Sequence, residues 1–342
     1  MPSAIQILKT IRDNASDLYI ERVPEATLVN MKQVGDAITS EKNIMNEFMN
    51  SLINKVAFSL IKSRMFYNPL AKLKSGNGRP YGNTIEEIFV NPSIDQGYSN
   101  DGNLLLKTTK PDGKSCYYGL NRQSKYATTI SEQQLLRAFN SEQTFNTFVS
   151  ACTTALYSGD QIDEFTLTKQ VFSKAIDEGA VKFIECDVAE PKELAKLIVN
   201  TGDYMAFPND SFNGYNLVNA AKISADSDTK CITFSPIENQ VLLVRADVLN
   251  EINYEVLANF FHLELSQIKS MVIKIDSFET TNFDTYAVLC DMEAPVVIDD
   301  VFKCTNNYNE ATLSWNVWLH HWQWLYLSMF ANCVAFGKKI TA

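Results

Sequence analysis

The chain has 342 residues, of which 46% are apolar, and it carries a net charge of −10. That length can bury a substantial core and sets an expectation of about two to three domains, while the acidity argues against a protein that grips nucleic acid by neutralising phosphates. No apolar run approaches the roughly 20 residues of a membrane-spanning helix. The first residues, MPSAIQILKTIRDN, lack the apolar region and cleavage site of a signal peptide, so the chain is expected to stay in the cytoplasm where it is made.

In chain order, Ser3 can cap a first helix through Ile11, with Ile7, Leu8 and Ile11 on one stripe. VPEATLVNMKQVG then reads as an extended arm. A second helix is expected from Lys42 to Val56 through Ile44, Phe48, Leu52 and Ile53, followed by a strand in AFSLIKSRMF. Residues 66–127 hold 7 of the 13 glycines and 4 of the 10 prolines, with short strand-like runs in TIEEIFV and SCYYGL. A two-stranded ribbon of this kind is marginal alone. The same stretch carries eight Lys or Arg against five Asp or Glu, a balance of +3 that leaves −13 on the rest of the chain. A basic ribbon on an acidic body reads as an arm lying on a neighbouring copy. A solvated hairpin excursion fits the same residues equally well.

Beyond the ribbon, Ser131 with Gln134 has the form of a capping box for SEQQLLRAF. Phe145, Phe148, Val149, Cys152, Ala155 and Leu156 share one helical face, Gly159 interrupts the pattern, and Asp160 can cap a second helix through Phe165, Phe172 and Ile176 that ends at Gly179. Strands then alternate with short helices. VKFIE, QVLLVRA, MVIKID and YAVLC read as strands; EPKELAKLIVNTG, with Glu190 as cap and Pro191 at the first helical position, and VLNEINYEVLANFFHL read as helices.

The run SWNVWLHHWQWLYLSMFANCVAF holds all four tryptophans together with His320 and His321. Adjacent residues of a strand face opposite ways, so His320 and His321 cannot share one metal ion, and the remaining histidine, His262, offers no spacing that completes a three-ligand site. A buried strand pair accounts for these aromatics. The seven cysteines are scattered and form no CxxC pair, so neither a disulfide framework nor a zinc site is expected. The usual nucleophile, phosphate-loop, dinucleotide and zinc-protease motifs are missing from the sequence. The acid pairs Glu86-Glu87 and Asp299-Asp300 read as assembly contacts or loop salt-bridge partners, not as catalysts. No catalytic residue, cofactor or metal is assigned.

The run NPLAKLKSGNGRPYGNTIEEIF, residues 68–89, resembles the extended-loop segment of the major capsid proteins of small podoviruses of the phi-29 type, whose shells use the Hong Kong 97 fold. ILKTIRD, NEFMNSLI, Asn121-Arg122-Gln123, Phe145 to Glu164, Trp315-Asn316, His321-Trp322 and FANCVAF are similar to further blocks in the family's order. The similarity covers about residues 7–338 and is weakest between Glu185 and Tyr286. It implies an α+β capsid fold with an N-terminal arm and helices (1–65), an extended β-hairpin loop (66–127), a peripheral domain with a spine helix (128–191 and 278–342) and an axial domain (192–277). By resemblance the assembly loop contacts neighbours through Pro69, Leu70, Lys72, Lys74, Arg79, Gly82, Thr84, Ile85, Glu86, Glu87, Ile88 and Arg122. The spine-helix core would be Phe145, Phe148, Val149, Cys152, Leu156 and Phe165. The family's type member continues past the equivalent of FANCVAF into an immunoglobulin-like domain, which this sequence is expected to lack.

The resemblance implies a structural protein, not an enzyme, that assembles through hexamers and pentamers of itself into an icosahedral or prolate head around double-stranded DNA. Scaffolding and portal proteins are its implied partners, the DNA is bound without sequence specificity, and no membrane is involved. Some shells of this fold crosslink loop lysines to a neighbour's asparagine. Lys72 and Lys74 lie on the loop, but the phi-29-like branch is not expected to use that reaction. Two rival classes are a non-viral protein shell of the same fold and a soluble enzyme or binding module with a long hairpin.

Overall fold

The computed structural model describes residues 4–52, 66–76, 82, 84–95, 97, 108, 110–186, 191–220, 230–252 and 272–340. The chain is α+β and divides into two compact units, the first made of residues 1–68, 122–164 and 299–323 and the second of 69–121, 165–298 and 324–342. The strand expected before residue 66, most of the helix expected over 248–263, Arg79, His262 and the capping residues Ser3 and Glu190 lie outside the described residues.

The first unit opens with four helices: α1 (Ala4–Asp13), α2 (Asp17–Arg22), α3 (Met31–Ser40) and α4 (Lys42–Ser51). The Ile7, Leu8 and Ile11 stripe of α1 is buried, as are Ile44, Met45, Phe48 and Met49 of α4. Ser16 caps α2 by accepting from Tyr19, and Glu47 of α4 takes hydrogen bonds from both the backbone and the hydroxyl of Ser16. The extended arm expected over VPEATLVNMKQVG is corrected in its second half. Met31, Val34 and Ile38 bury one helical face there, and Gly35 lies so close to Phe139 that an added Cβ would sit 2.6 Å from the Phe139 Cβ.

A three-stranded sheet in the order β3-β9-β8 completes this unit, with β3 (Arg122–Ser131) antiparallel to β9 (Ser314–Leu327) from Arg122 opposite Gln323 to Ser131 opposite Ser314, and β8 (Pro295–Asn309) on the far side. On β9 the strand period of two buries Trp315, Val317, Leu319, His321 and Gln323. The intervening residues are half-buried. After β3, the expected Ser131/Gln134 capping box starts α5 (Glu132–Ala138).

The long helix α6 (Glu142–Asp177) runs without a break, which corrects the interruption expected at Gly159 and the cap expected at Asp160. Asp160 is buried in mid-helix instead. The helix ends as expected at Gly179, whose φ of 73° suits glycine; Gly179 N donates to Ile176 O and Ala180 N to Ala175 O, the two bonds of a Schellman motif.

The second unit is built on a five-stranded sheet in the order β4-β10-β7-β5-β6, from β4 (Lys182–Glu185), β5 (Gln240–Arg245), β6 (Val272–Ile275), β7 (Phe283–Asp291) and β10 (Cys333–Lys339). The outer pairs β4/β10 and β5/β6 are parallel, and the inner pairs are antiparallel. Val241 to Val244 and Tyr286 to Cys290 form continuous buried runs, as expected of strands covered on both faces. Leu194, Ala195, Ile198 and Val199 of α7 (Pro191–Ala206) pack with one face of this sheet, and Phe172 and Ile176 of α6 with the other. Short helices α8 (Gly214–Val218) and α9 (Ala246–Ile252) complete the described elements. None of the described helices is long and apolar enough to cross a membrane.

Candidate functional site

Strands β1 (Thr84–Val90) and β2 (Gly113–Gly119) form the expected two-stranded ribbon, paired from Thr84 opposite Gly119 to Val90 opposite Gly113. Alternation gives it two unlike faces. The inner face is fastened to the ribbon's own unit. Glu87 accepts from the Tyr118 hydroxyl at 2.6 Å and from the Ser328 hydroxyl at 2.5 Å, and the Tyr118 oxygen accepts from Met329 N at 3.2 Å. Phe89 stacks on Phe330 with centroids 5.4 Å apart, and the rings of Tyr118 and Tyr326 lie 4.9 Å apart.

Both ends of the ribbon are tied down by asparagines. Asn121 makes a two-point clamp on Leu325, donating to its carbonyl at 2.7 Å and accepting from its N–H at 2.9 Å. Asn91 donates to Lys230 O and accepts from Ile232 N. Burial, and then the hydrogen bond to Glu87, push the Tyr118 hydroxyl far above its ordinary pKa, so it is a permanent donor. Hydrogen bonds from Lys114 and then Asn91 hold the Asp112 carboxyl below its usual range.

The outer face carries Thr84, Glu86, Ile88, Val90 and Tyr117, and the last three are 65%, 53% and 65% exposed. Tyr117 donates to Glu86 at 2.7 Å, which fixes a polar patch beside these apolar side chains. A groove of about 360 Å³ opens alongside, lined by Ile88, Val90, Ile232, Phe234, Asp291 and Glu293 among others. Three large apolar side chains on one small ribbon face, with acids around the groove, form a surface suited to protein contact.

The loop residues singled out in the sequence divide accordingly. Thr84, Glu86 and Ile88 lie on the outer face, and Ile85 and Glu87 on the inner one. Gly82 is exposed with φ 128°. Pro69, Leu70 and Lys72 form a 3-10 turn, in which Lys72 is exposed and Leu70 is a core residue; Lys74 is half-buried. Phe145, Val149 and Leu156 lie in the core of the first unit with Phe148 and Cys152 packed against it, while Phe165 packs against a core of the second unit.

Arg122 is buried, at 3% exposure, in a polar junction of the first unit that the sequence did not reveal. Its guanidinium donates to Asp160 Oδ1 at 2.7 Å, to Tyr126 Oη at 3.1 Å and to the Gln323 amide oxygen, and its Nη1 lies 3.7 Å from Glu164 Oε2. His321 Nδ1 is 2.7 Å from Asp160 Oδ1, and its Nε2 is 3.0 Å from Asp299 Oδ1. The amide of Gln323 donates to Glu164 at 2.9 Å and to Asp299 at 2.6 Å.

Asp160, Glu164 and His321 bring ligand atoms within 4.8 Å of one another, a spacing compatible with a metal ion. The guanidinium of Arg122 already occupies this donor set, so the residues fit an ion network and not a metal centre. The sequence argument against a metal weighed only the other histidines, His320 and His262, as partners for His321. A signal was present, because Asp160 and Glu164 stand four apart and therefore on one helical face.

A profile of the Phi29-like phage major capsid protein family matches residues 8–337. The major capsid protein of Bacillus phage B103 is 30% identical over 339 residues, spanning 96% of this chain and 72% of that protein. That of Bacillus phage PZA is 29% identical over 333 residues with the same shares. Among solved structures, a chain of the capsid of Staphylococcus phage Andhra superposes with a TM-score of 0.64 at 14% identity, covering 81% of this chain and 85% of that one, a likeness of fold.

Proposed function

The chain belongs to the family of Phi29-like phage major capsid proteins, structural subunits of tailed-phage heads and not enzymes, and on that premise we propose that the outer face of its β1–β2 ribbon is a contact by which copies assemble into the shell. The observation that carries this is the asymmetry of the ribbon. Its inner face is fastened by Glu87, Tyr118 and Phe89, while Ile88, Val90 and Tyr117 are left to solvent. A ribbon held rigid by its own unit presents these apolar side chains at little ordering cost, which favours association.

On this reading residues 66–127 act as the extended loop, 128–191 and 278–342 as the peripheral domain and 192–277 as the axial domain. Copies join as hexamers and pentamers, assembled in the host cytoplasm with a scaffolding protein and a portal, around double-stranded DNA held without sequence specificity. A net charge of −10 supports a wall along which packaged duplex slides without sticking.

Electron microscopy with sedimentation, on the full chain expressed alone and then with its neighbouring genes, tests the reading. Closed shells, tubes or capsomer rings are expected. A stable monomer under every condition would overturn it.

A further inference from the structure

His321 sits at 1% exposure on β9, bracketed by Asp160 from α6 and Asp299 from β8. Both carboxyl groups already accept from other N–H donors, Asp160 from Arg122 and Asp299 from Gln323. They therefore present lone pairs to the ring on both sides. A neutral imidazole has only one N–H, so it can satisfy one of these acceptors and must turn a lone pair on the other. An imidazolium donates to both.

We infer that His321 binds a proton as a structural ligand, and that the resulting imidazolium is a clasp tying α6 to β8 and β9 within the first unit. This is independent of the ribbon's part in assembly.

Among the described residues, the charged groups around the ring favour that state except one. From α6 come Asp160 and Glu164, the latter with its Oε2 3.9 Å from Nδ1; from β8 come Asp299 and the edge-on ring of Phe302; from β9 comes Gln323. Tyr126 of β3, an uncharged neighbour, donates to Asp163 of α6 at 2.7 Å. Arg122 of β3 is the opposing cation. Two buried carboxyl groups, Asp160 and Glu164, and the partly buried Asp299 thus face one guanidinium, and a proton on His321 reduces the imbalance. Burial works against the charged ring, but the hydrogen bonds to Asp160 and Asp299 outweigh it, and His321 is held above the ordinary histidine value.

The sign of the linkage follows. A histidine raised in the folded state contributes stability that is complete below the unfolded value of about 6.5 and is lost as pH rises through the folded value. The first unit should loosen as pH rises above about 6.5, not as it falls.

The chain has three histidines, so 15N-histidine labelling of the full-length chain, as shells or as free subunits, gives a spectrum assignable with His262→Gln and His320→Gln. At pH 6.5, the ordinary histidine value, the His321 imidazole should have both ring nitrogens mostly protonated, and its midpoint should lie above that pH. A single neutral tautomer for His321 at that pH would overturn the clasp. Asp299→Asn keeps the shape at a site that is partly exposed, and should lower the proton affinity of His321 about tenfold or more; an unmoved midpoint would also overturn it. Melting temperatures measured from pH 6 to 9 should fall for the natural chain and stay flat for His321→Gln, whereas parallel curves would reduce His321 to a packing residue. Should His321→Gln not fold, the Asp299→Asn titration decides.

Discussion

In the first unit Asp160, Glu164, His321 and Gln323 occupy the space between α6 and the three-stranded sheet, whereas in the second unit the space beside the five-stranded sheet is filled by Leu194, Leu242, Leu289, Val334 and Phe336. Burial is equally complete in both places. In the polar junction each group depends on named partners, because an ion left unpaired inside keeps its desolvation penalty while losing its compensation. In the apolar core each side chain meets many interchangeable neighbours. The two regions should therefore differ in their tolerance of substitution far more than in depth.

The hardest test of that contrast is Arg122→Met, which keeps an unbranched stem but strands Asp160 and Glu164. Unfolding in denaturant should show a loss of about 3–5 kcal/mol. A loss below about 1 kcal/mol would mean that the junction is no more demanding than the sheet. In the second unit a backbone constraint comes next. An added Cβ at Gly337 would lie 2.2 Å from Asp284 O, across the register shift between β10 and β7, so Gly337→Ala should cost about 1–3 kcal/mol as the strands part.

Leu289→Met changes the core of that sheet at similar volume, and the melting temperature should report less than about 1.5 kcal/mol. The smallest effect on folding belongs to the ribbon. Ile88→Asp with Val90→Asp should leave stability within about 0.5 kcal/mol, as exposed substitutions do, while sedimentation shows shells replaced by small species. Glu87 does not serve for this experiment, since it is bonded to Tyr118 and Ser328 and its loss would unfasten the ribbon itself.

Much of the architecture was legible because it is local. The stripe of α1, the capping box at Ser131, the glycine stop at Gly179, the continuous apolar strands β5 and β7 and the ribbon in TIEEIFV all follow from spacing within a few residues. The arm carried too far, into α3, and the break misread at Gly159 have a common cause. Pro24 and Gly35 in one place, and Gly159 with Asp160 in the other, look like punctuation only while their surroundings are unknown.

The long helix shows the division most clearly. Along α6 the buried face passes through Phe145, Val149 and Leu156, then Asp160, Glu164 and Thr168, then Phe172 and Ile176. Its spacing is regular throughout, but the middle third is polar, so a pattern search that equates burial with hydrophobicity stops at residue 159. By itself the sequence determined elements such as α1, α4 and the ribbon strands, since those depend on neighbours one or two turns away. That the middle of α6 is an interior and not an end was decided by tertiary structure. Asp160 gains its partners from Arg122, 38 residues before it, and from His321, 161 residues after it, and a carboxylate is stable inside only where the fold has carried such partners to it.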